Sequence, residues 1–158
     1  MVTKSFQGHG RELIVIRGRV TDLIREILDL MEEIAESEVD SFNLADPLPN
    51  GSVGERLAEL VRQLQLLFTI ELDERQMRIA SIDGAPDMCP TGDLDAEHDA
   101  LLAQINRVFD LTRAPLRPAS TWTDIEFSFR GFAAQLHDHR LREDGLLRQT
   151  AAGQAAMN

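Results

Sequence analysis

Acidic residues and histidines occupy positions where a helical repeat of apolar residues should continue. One such repeat reads Leu60, Leu64 and Leu67, and its next two steps fall on Glu71 and Glu74. A buried charge without a partner costs several kcal/mol, so the chain needs a way to compensate for it. In helical bundles, a bound metal ion is the usual compensation for clustered imidazoles and carboxylates. We therefore predict a metal site, and its candidate ligands are His9, Glu71, Glu74, His98, His139, Glu143 and Asp144.

The types of donor narrow the choice of metal. Imidazole and carboxylate ligands together suit iron, manganese or zinc. Cys89 is the only cysteine, so a thiolate site is not expected. The donors are numerous enough for a dinuclear iron centre with an open coordination position, where dioxygen or another small ligand could bind. We expect non-haem iron as the cofactor, with one or two ions.

Four segments have the three- and four-residue spacing of apolar side chains that predicts amphipathic helices. The first runs from about residue 6 to about residue 36, and loops rich in proline and glycine separate the segments. No segment shows the alternation of a strand. Short connections between long helices favour an all-α, antiparallel up-down-up-down four-helix bundle. We predict one domain over residues 1–150 and a flexible tail over residues 151–158.

In such a bundle the candidate ligands converge on one layer. His9 lies near the start of the first helix and His98 near the start of the third. Glu71 and Glu74 lie near the end of the second helix, and His139 lies near the end of the fourth. An up-down arrangement brings the starts of helices one and three against the ends of helices two and four. The shared height is therefore a second argument for one site.

The composition argues against several classes of partner. The formal net charge is −11 over 158 residues, and an acidic surface repels nucleic acid and anionic membranes. No apolar run approaches the roughly 20 residues of a membrane span, and no signal peptide is recognisable. A single cysteine fits a reducing compartment, so we expect a cytoplasmic protein. Homo-oligomerisation and a protein partner both stay open.

The order and spacing of these residues resemble the hemerythrin family, the four-helix di-iron oxygen carriers and sensors. In that family the fourth helix carries a histidine followed, five residues on, by a bridging aspartate, and His139 and Asp144 have this spacing. The resemblance implies that Glu74 is the bridging glutamate of the second helix. It also implies that His98 is a ligand from the third helix and His9 a ligand from the first.

The chain departs from the family pattern at two ligand positions. Histidines are expected four residues before Glu74 and four before His98, but Ile70 and Leu94 stand there. Glu71, Glu143 or His137 could substitute for them. Otherwise the site holds one metal ion, binds metal weakly or is a relic of a metal site. The resemblance then implies an iron-binding protein for oxygen or redox sensing, small-ligand binding or iron handling. We expect no catalytic turnover.

Two other interpretations use the same bundle. In the first, no metal binds, His–carboxylate pairs satisfy the polar layer, and the protein has a regulatory or interaction role. In the second, the site is a ferritin-like carboxylate di-metal centre. This is disfavoured because no Glu-x-x-His pair occurs on two helices.

Individual side chains on the fourth helix are also predictable. Phe127 and Phe129 are expected in the core. Glu143 and Asp144 are adjacent, so the helix can turn only one of them fully inward. His137 lies two residues from the apolar seam and should point to solvent.

Overall fold

The structure, a computed structural model, describes residues 3–38, 50–80, 91–113 and 120–156, and the side chains of most of them. Each of these ranges is one helix: α1 (Thr3–Glu38), α2 (Asn50–Ala80), α3 (Thr91–Arg113) and α4 (Ser120–Ala156). Within the described ranges there is no strand. Each helix contacts the next, and α4 also contacts α1. The predicted all-α four-helix bundle is therefore confirmed.

Contacts between the first and second halves of the helices show the up-down arrangement. His98, in the first half of α3, meets Glu71 in the second half of α2 and His139 just past the middle of α4. Arg17 in the first half of α1 meets Asp144 in the second half of α4. The first halves of α1 and α3 therefore lie beside the second halves of α2 and α4, as an up-down bundle requires.

The core forms because each helix has one apolar face. On α1, Leu23 is fully buried and the neighbouring Ile24 is only half-buried, although the sequence spacing predicts Ile24 in the seam. The two side chains are about 100° apart around the helix. Leu23 therefore lies at the centre of the buried apolar stripe, and Ile24 lies at its edge. The buried side chains of this stripe are Leu13, Ile16, Val20, Leu23, Ile27, Met31 and Ile34.

Aromatic residues of α4 fill the centre of the bundle, with one exception. Phe129 and Phe132 are completely buried, and their ring centroids lie 6.0 Å apart. Phe127 was predicted in the core and this is wrong, because its side chain is 80% exposed. Ile125 and Phe129 are four residues apart and share the inner face, so the residue midway between them points away from the core.

The ends of the helices differ slightly from the sequence prediction. α1 begins at Thr3, earlier than expected, and α4 continues to Ala156, past the boundary predicted at residue 150. Cys89 and the loops between the helices lie outside the described residues. Within the described helices, no segment is both long and apolar enough to cross a membrane.

Candidate metal centre

Three buried side chains from three helices bring their donor atoms together. Glu71 of α2, His98 of α3 and His139 of α4 are 3%, 5% and 1% exposed. Each offers one ligand atom, and these three atoms lie within 4.8 Å of one another. We call these residues the three-donor cluster. All three stand on the apolar seams of their helices, which is why folding buries them.

The separations between the donor atoms suit a transition metal. The Nε2 atoms of His98 and His139 are 2.9 Å apart, and Nε2 of His98 is 3.4 Å from Oε2 of Glu71. With metal–ligand bonds of about 2.1 Å, adjacent donors are about 3.0 Å apart in an octahedron and about 3.4 Å apart in a tetrahedron. Both distances therefore fall in the range for ligands of one ion.

Glu97 orients the imidazole of His139. Nδ1 of His139 lies 2.7 Å from Oε2 of Glu97, and since a carboxylate accepts, the imidazole carries its proton on Nδ1. In the neutral tautomer this leaves the lone pair of Nε2 directed at the other two side chains of the three-donor cluster. Metal-binding histidines almost always have such a partner on the second nitrogen. Arg142 also forms an ion pair with Glu97 and holds it in place.

Phe68 fixes the plane of the other imidazole. Its ring stacks on His98 with centroids 3.9 Å apart and an interplanar angle of 6°. Burial, the neighbouring His139 and the cation of Arg75 lower the pKa of His98 to about 3. At neutral pH this imidazole is therefore uncharged, which is the form that binds metals.

The two oxygens of Glu71 have different environments. Oε1 accepts hydrogen bonds from Nε and Nη2 of Arg17, at 3.2 and 2.9 Å. Oε2 is buried and has no hydrogen bond, although Nε2 of His98 is 3.4 Å away. Burial and the nearby carboxylate of Glu143 raise the pKa of Glu71 to about 7, and Arg17 opposes this rise. A buried oxygen without a hydrogen bond is costly, and a metal ion would relieve that cost.

Arg17 gathers the remaining carboxylates of the layer. Its guanidinium is 2.6 Å from Oε2 of Glu143 and 3.3 Å from Oδ1 of Asp144. Burial acts to lower the pKa of Arg17, but the carboxylates of Glu143, Glu71 and Asp144 outweigh it, and the pKa is raised. Glu143 is buried while the Asp144 side chain is 46% exposed, so one of the pair turns inward, as the sequence predicts.

Two other arginines flank this layer. Arg75 pairs with Asp95 at 2.9 Å, and Nη1 of Arg140 donates to Oγ1 of Thr21 at 3.0 Å. The Nε and Nη2 atoms of Arg140 are buried and donate no hydrogen bond to the described residues. Burial and the neighbouring Arg17 lower the pKa of Arg140, but a guanidinium stays protonated in proteins.

Of the other predicted ligands, Glu143 and Asp144 contact Arg17. Glu74 is half-buried and does not belong to the three-donor cluster, whose carboxylate comes from Glu71. The side chain of His9 lies outside the described residues. Ile70 and Leu94, at the expected histidine positions, are both buried apolar side chains.

Sequence reasoning missed Arg17 and Glu97. Arg17 is charged and follows the apolar residue Ile16, so the pattern assigns it to the solvent-facing side of α1. Glu97 precedes His98, but its partner His139 is 42 residues further along the chain. A long flexible side chain that crosses to another helix leaves no periodic signal.

Comparison of the chain with protein-family models, with curated proteins and with solved structures gives no match.

Proposed function

We propose that the bundle binds a non-haem ferrous ion through Glu71, His98 and His139 and presents it to a small ligand such as dioxygen. This is a hemerythrin-like role in oxygen or redox sensing, carried out with fewer metal ligands than the family pattern has. The observation that carries the proposal is the three-donor cluster itself. Two imidazoles and one carboxylate with open positions are the ligand set of many non-haem iron(II) sites.

The surroundings of the cluster support binding or sensing more than turnover. The three proposed ligands are 5% exposed or less, so a substrate larger than a few atoms cannot reach them unless the helices move. A diatomic ligand needs much less space. Arg142, Glu97 and Phe68 fix the two imidazoles, which favours a permanent site over transient iron handling.

The first prediction concerns the histidines. We expect His139→Ala to lose at least about 100-fold in ferrous-ion affinity, because it removes a ligand outright and outer partners alone contribute 10–100-fold. His137→Ala is the matched control, since His137 is an exposed histidine on the same helix. Anaerobic titration with ferrous iron, followed by elemental analysis after desalting, measures both. Equal iron content in the two variants would contradict the proposal.

A second pair of variants identifies the carboxylate ligand. Glu71→Gln should weaken iron binding strongly, whereas Glu74→Gln should retain it, because only Glu71 belongs to the three-donor cluster. The reverse result would support the family assignment of Glu74.

A separate experiment tests whether the bound iron has open coordination positions. Nitric oxide is added to the anaerobic ferrous protein, and its binding to the iron is followed by electron paramagnetic resonance.

A specific observation favours a second candidate function. The facing Nε2 atoms of His98 and His139 are 2.9 Å apart, which is also a hydrogen-bond distance. With His139 accepting, the layer can satisfy much of its polarity without an ion, as a metal-free regulatory bundle requires. Purified protein that contains no metal and takes up none after anaerobic reconstitution would support this alternative.

A further inference from the structure

One nitrogen of Arg17 bridges two carboxylates from different helices. Nη2 lies 2.9 Å from Oε1 of Glu71 on α2 and 2.6 Å from Oε2 of Glu143 on α4. Nη1 of the same guanidinium is 3.3 Å from Oδ1 of Asp144. We call Glu71, Glu143 and Asp144 the carboxylate cluster. Three carboxylates therefore surround the positive charge of this guanidinium.

Glu71 belongs to both clusters. Its Oε1 faces Arg17, and its Oε2 is near Nε2 of His98 in the three-donor cluster. A carboxylate with one oxygen on each side joins two neighbouring cation positions, as bridging carboxylates do in dinuclear metal sites. One of these positions suits a metal ion, and a guanidinium occupies the other.

We propose that Arg17 fills the second cation position of this layer and thereby limits the site to a single metal ion, an inference that rests on the proposed iron binding. Arg17 is thus a specificity-determining residue for metal number. It does not touch the ion; it competes for the oxygens that a second ion would need.

The competition is both steric and electrostatic. A second ion bound by Glu71 and Glu143 would stand about 2.0–2.6 Å from their oxygens, the range for divalent ions on carboxylates. Nη2 of Arg17 already lies against both oxygens, so the ion and the guanidinium cannot share this space. The positive charge of Arg17 also opposes the approach of another cation in this buried layer.

The test replaces Arg17 with methionine, a neutral, flexible side chain that matches the aliphatic part of arginine. Wild-type protein and Arg17→Met are titrated anaerobically with ferrous iron, and bound iron is counted by elemental analysis. We expect about one ion per chain for wild type and about two for Arg17→Met, because the carboxylate cluster becomes available. Adding Glu143→Gln to Arg17→Met should return the count to about one. A count of one for Arg17→Met alone overturns the inference.

The matched control is Arg25→Met. Arg25 also lies on α1 but is exposed, and among the described residues it pairs with Asp22 at 3.5 Å. Its replacement should leave one ion per chain. Circular dichroism of each variant establishes that helix content is retained. A rise to two ions in Arg25→Met would show that the extra ion is unrelated to the carboxylate cluster, and this also overturns the inference.

A second measurement applies if Arg17→Met does not fold. In the wild-type background, Glu143→Gln and Asp144→Asn remove partners of Arg17 and no ligand of the single ion. Each should therefore still bind about one iron per chain. Loss of iron in either variant would make these carboxylates ligands and overturn the inference.

The outcomes separate this inference from the proposed function. Two ions on wild-type protein, lost in His139→Ala, would overturn the role of Arg17 while iron binding stands. No iron on wild-type protein at millimolar ferrous concentration would overturn the proposed function itself, and the present inference with it.

Discussion

The two oxygens of Glu71 explain how one side chain can serve both a guanidinium and a metal. Oε1 is bound by Arg17, and this contact fixes the carboxylate so that Oε2 stays buried beside His98. Breaking a buried charged pair by removing one partner costs about 3–5 kcal/mol, so Arg17 and Glu71 depend on each other for the stability of the fold.

The pKa shifts of His98 and Glu71 predict opposite pH dependences in the metal-free protein. His98 changes from 6.5 to about 3, so the unfolded chain binds more protons there and the unfolding free energy rises with pH between these values. Glu71 changes from 4.5 to about 7, so the folded protein binds more protons and the unfolding free energy falls as pH rises. Between about pH 4.5 and 6.5 the two effects oppose each other.

Two variants should separate these effects. His98→Phe retains the Glu71 effect, so its unfolding free energy should fall relative to wild type as pH rises from 4.5 to 6.5. Glu71→Gln retains the His98 effect and should show the opposite slope relative to wild type. Urea unfolding in the presence of a chelator at several pH values measures both. Parallel slopes for the two variants would rule out this assignment of the pH dependence.

His98 and His139 could be predicted as candidate ligands because each interrupts an apolar seam. The choice between Glu71 and Glu74 could not be predicted, because both continue the seam of α2 at helical spacing. Arg17 is the clearest case: its partner Glu71 is 54 residues away, and only the assembled bundle brings them together.

At the scale of the helices, α4 has the sharpest contrast between its two faces. Phe129 is completely buried and Phe127, two residues earlier, is 80% exposed. We expect Phe129→Ala to lower the unfolding free energy by about 3–5 kcal/mol, because it removes a large core side chain and leaves a cavity. Phe127→Ala should change it by less than about 0.5 kcal/mol.

Chemical denaturation of the two alanine variants beside wild type tests this contrast. A large loss for Phe127→Ala would mean that its ring is covered in solution, for example by a second copy of the chain. In that case a size measurement at two protein concentrations should reveal the association.

The helices themselves follow from apolar spacing, and the sequence predicts all four. The prediction that Phe127 lies in the core followed from its apolar residue type. Its position, midway between the inward-facing Ile125 and Phe129, instead predicts an exposed side chain. The choice of Leu23 over Ile24 at the centre of the α1 seam could not be read from the sequence, since both residues are apolar and adjacent.

For the whole molecule, metal binding should stabilise the fold, because the three-donor cluster exists only when α2, α3 and α4 are assembled. An ion at 100 times its dissociation constant adds about 2.7 kcal/mol to the unfolding free energy. For a chain of this length that is a rise of about 5–10 °C in Tm. Calorimetry with ferrous iron, and again after chelation, measures the shift. His139→Ala, with at least about 100-fold weaker binding, should shift by no more than about 1–2 °C at the same iron concentration, and a shift as large as that of wild type would place the ion elsewhere.

The up-down arrangement could be predicted because short connections leave antiparallel neighbours as the simplest topology. The shared level of the polar residues along the bundle axis follows from that topology. The sequence could not predict which carboxylates contact the guanidinium of Arg17 and which belong to the three-donor cluster. These contacts depend on how far each side chain extends across the assembled bundle.

The distribution of the three donors over three helices has a mechanical consequence. The two imidazoles are 41 residues apart in the chain, so a bound ion would act as a reversible cross-link between distant segments. Loading and unloading the site would then alter how freely α2, α3 and α4 move relative to one another, even with no change in their average positions. Occupancy of the buried site would in this way alter the stiffness of the bundle surface, although the site itself is buried.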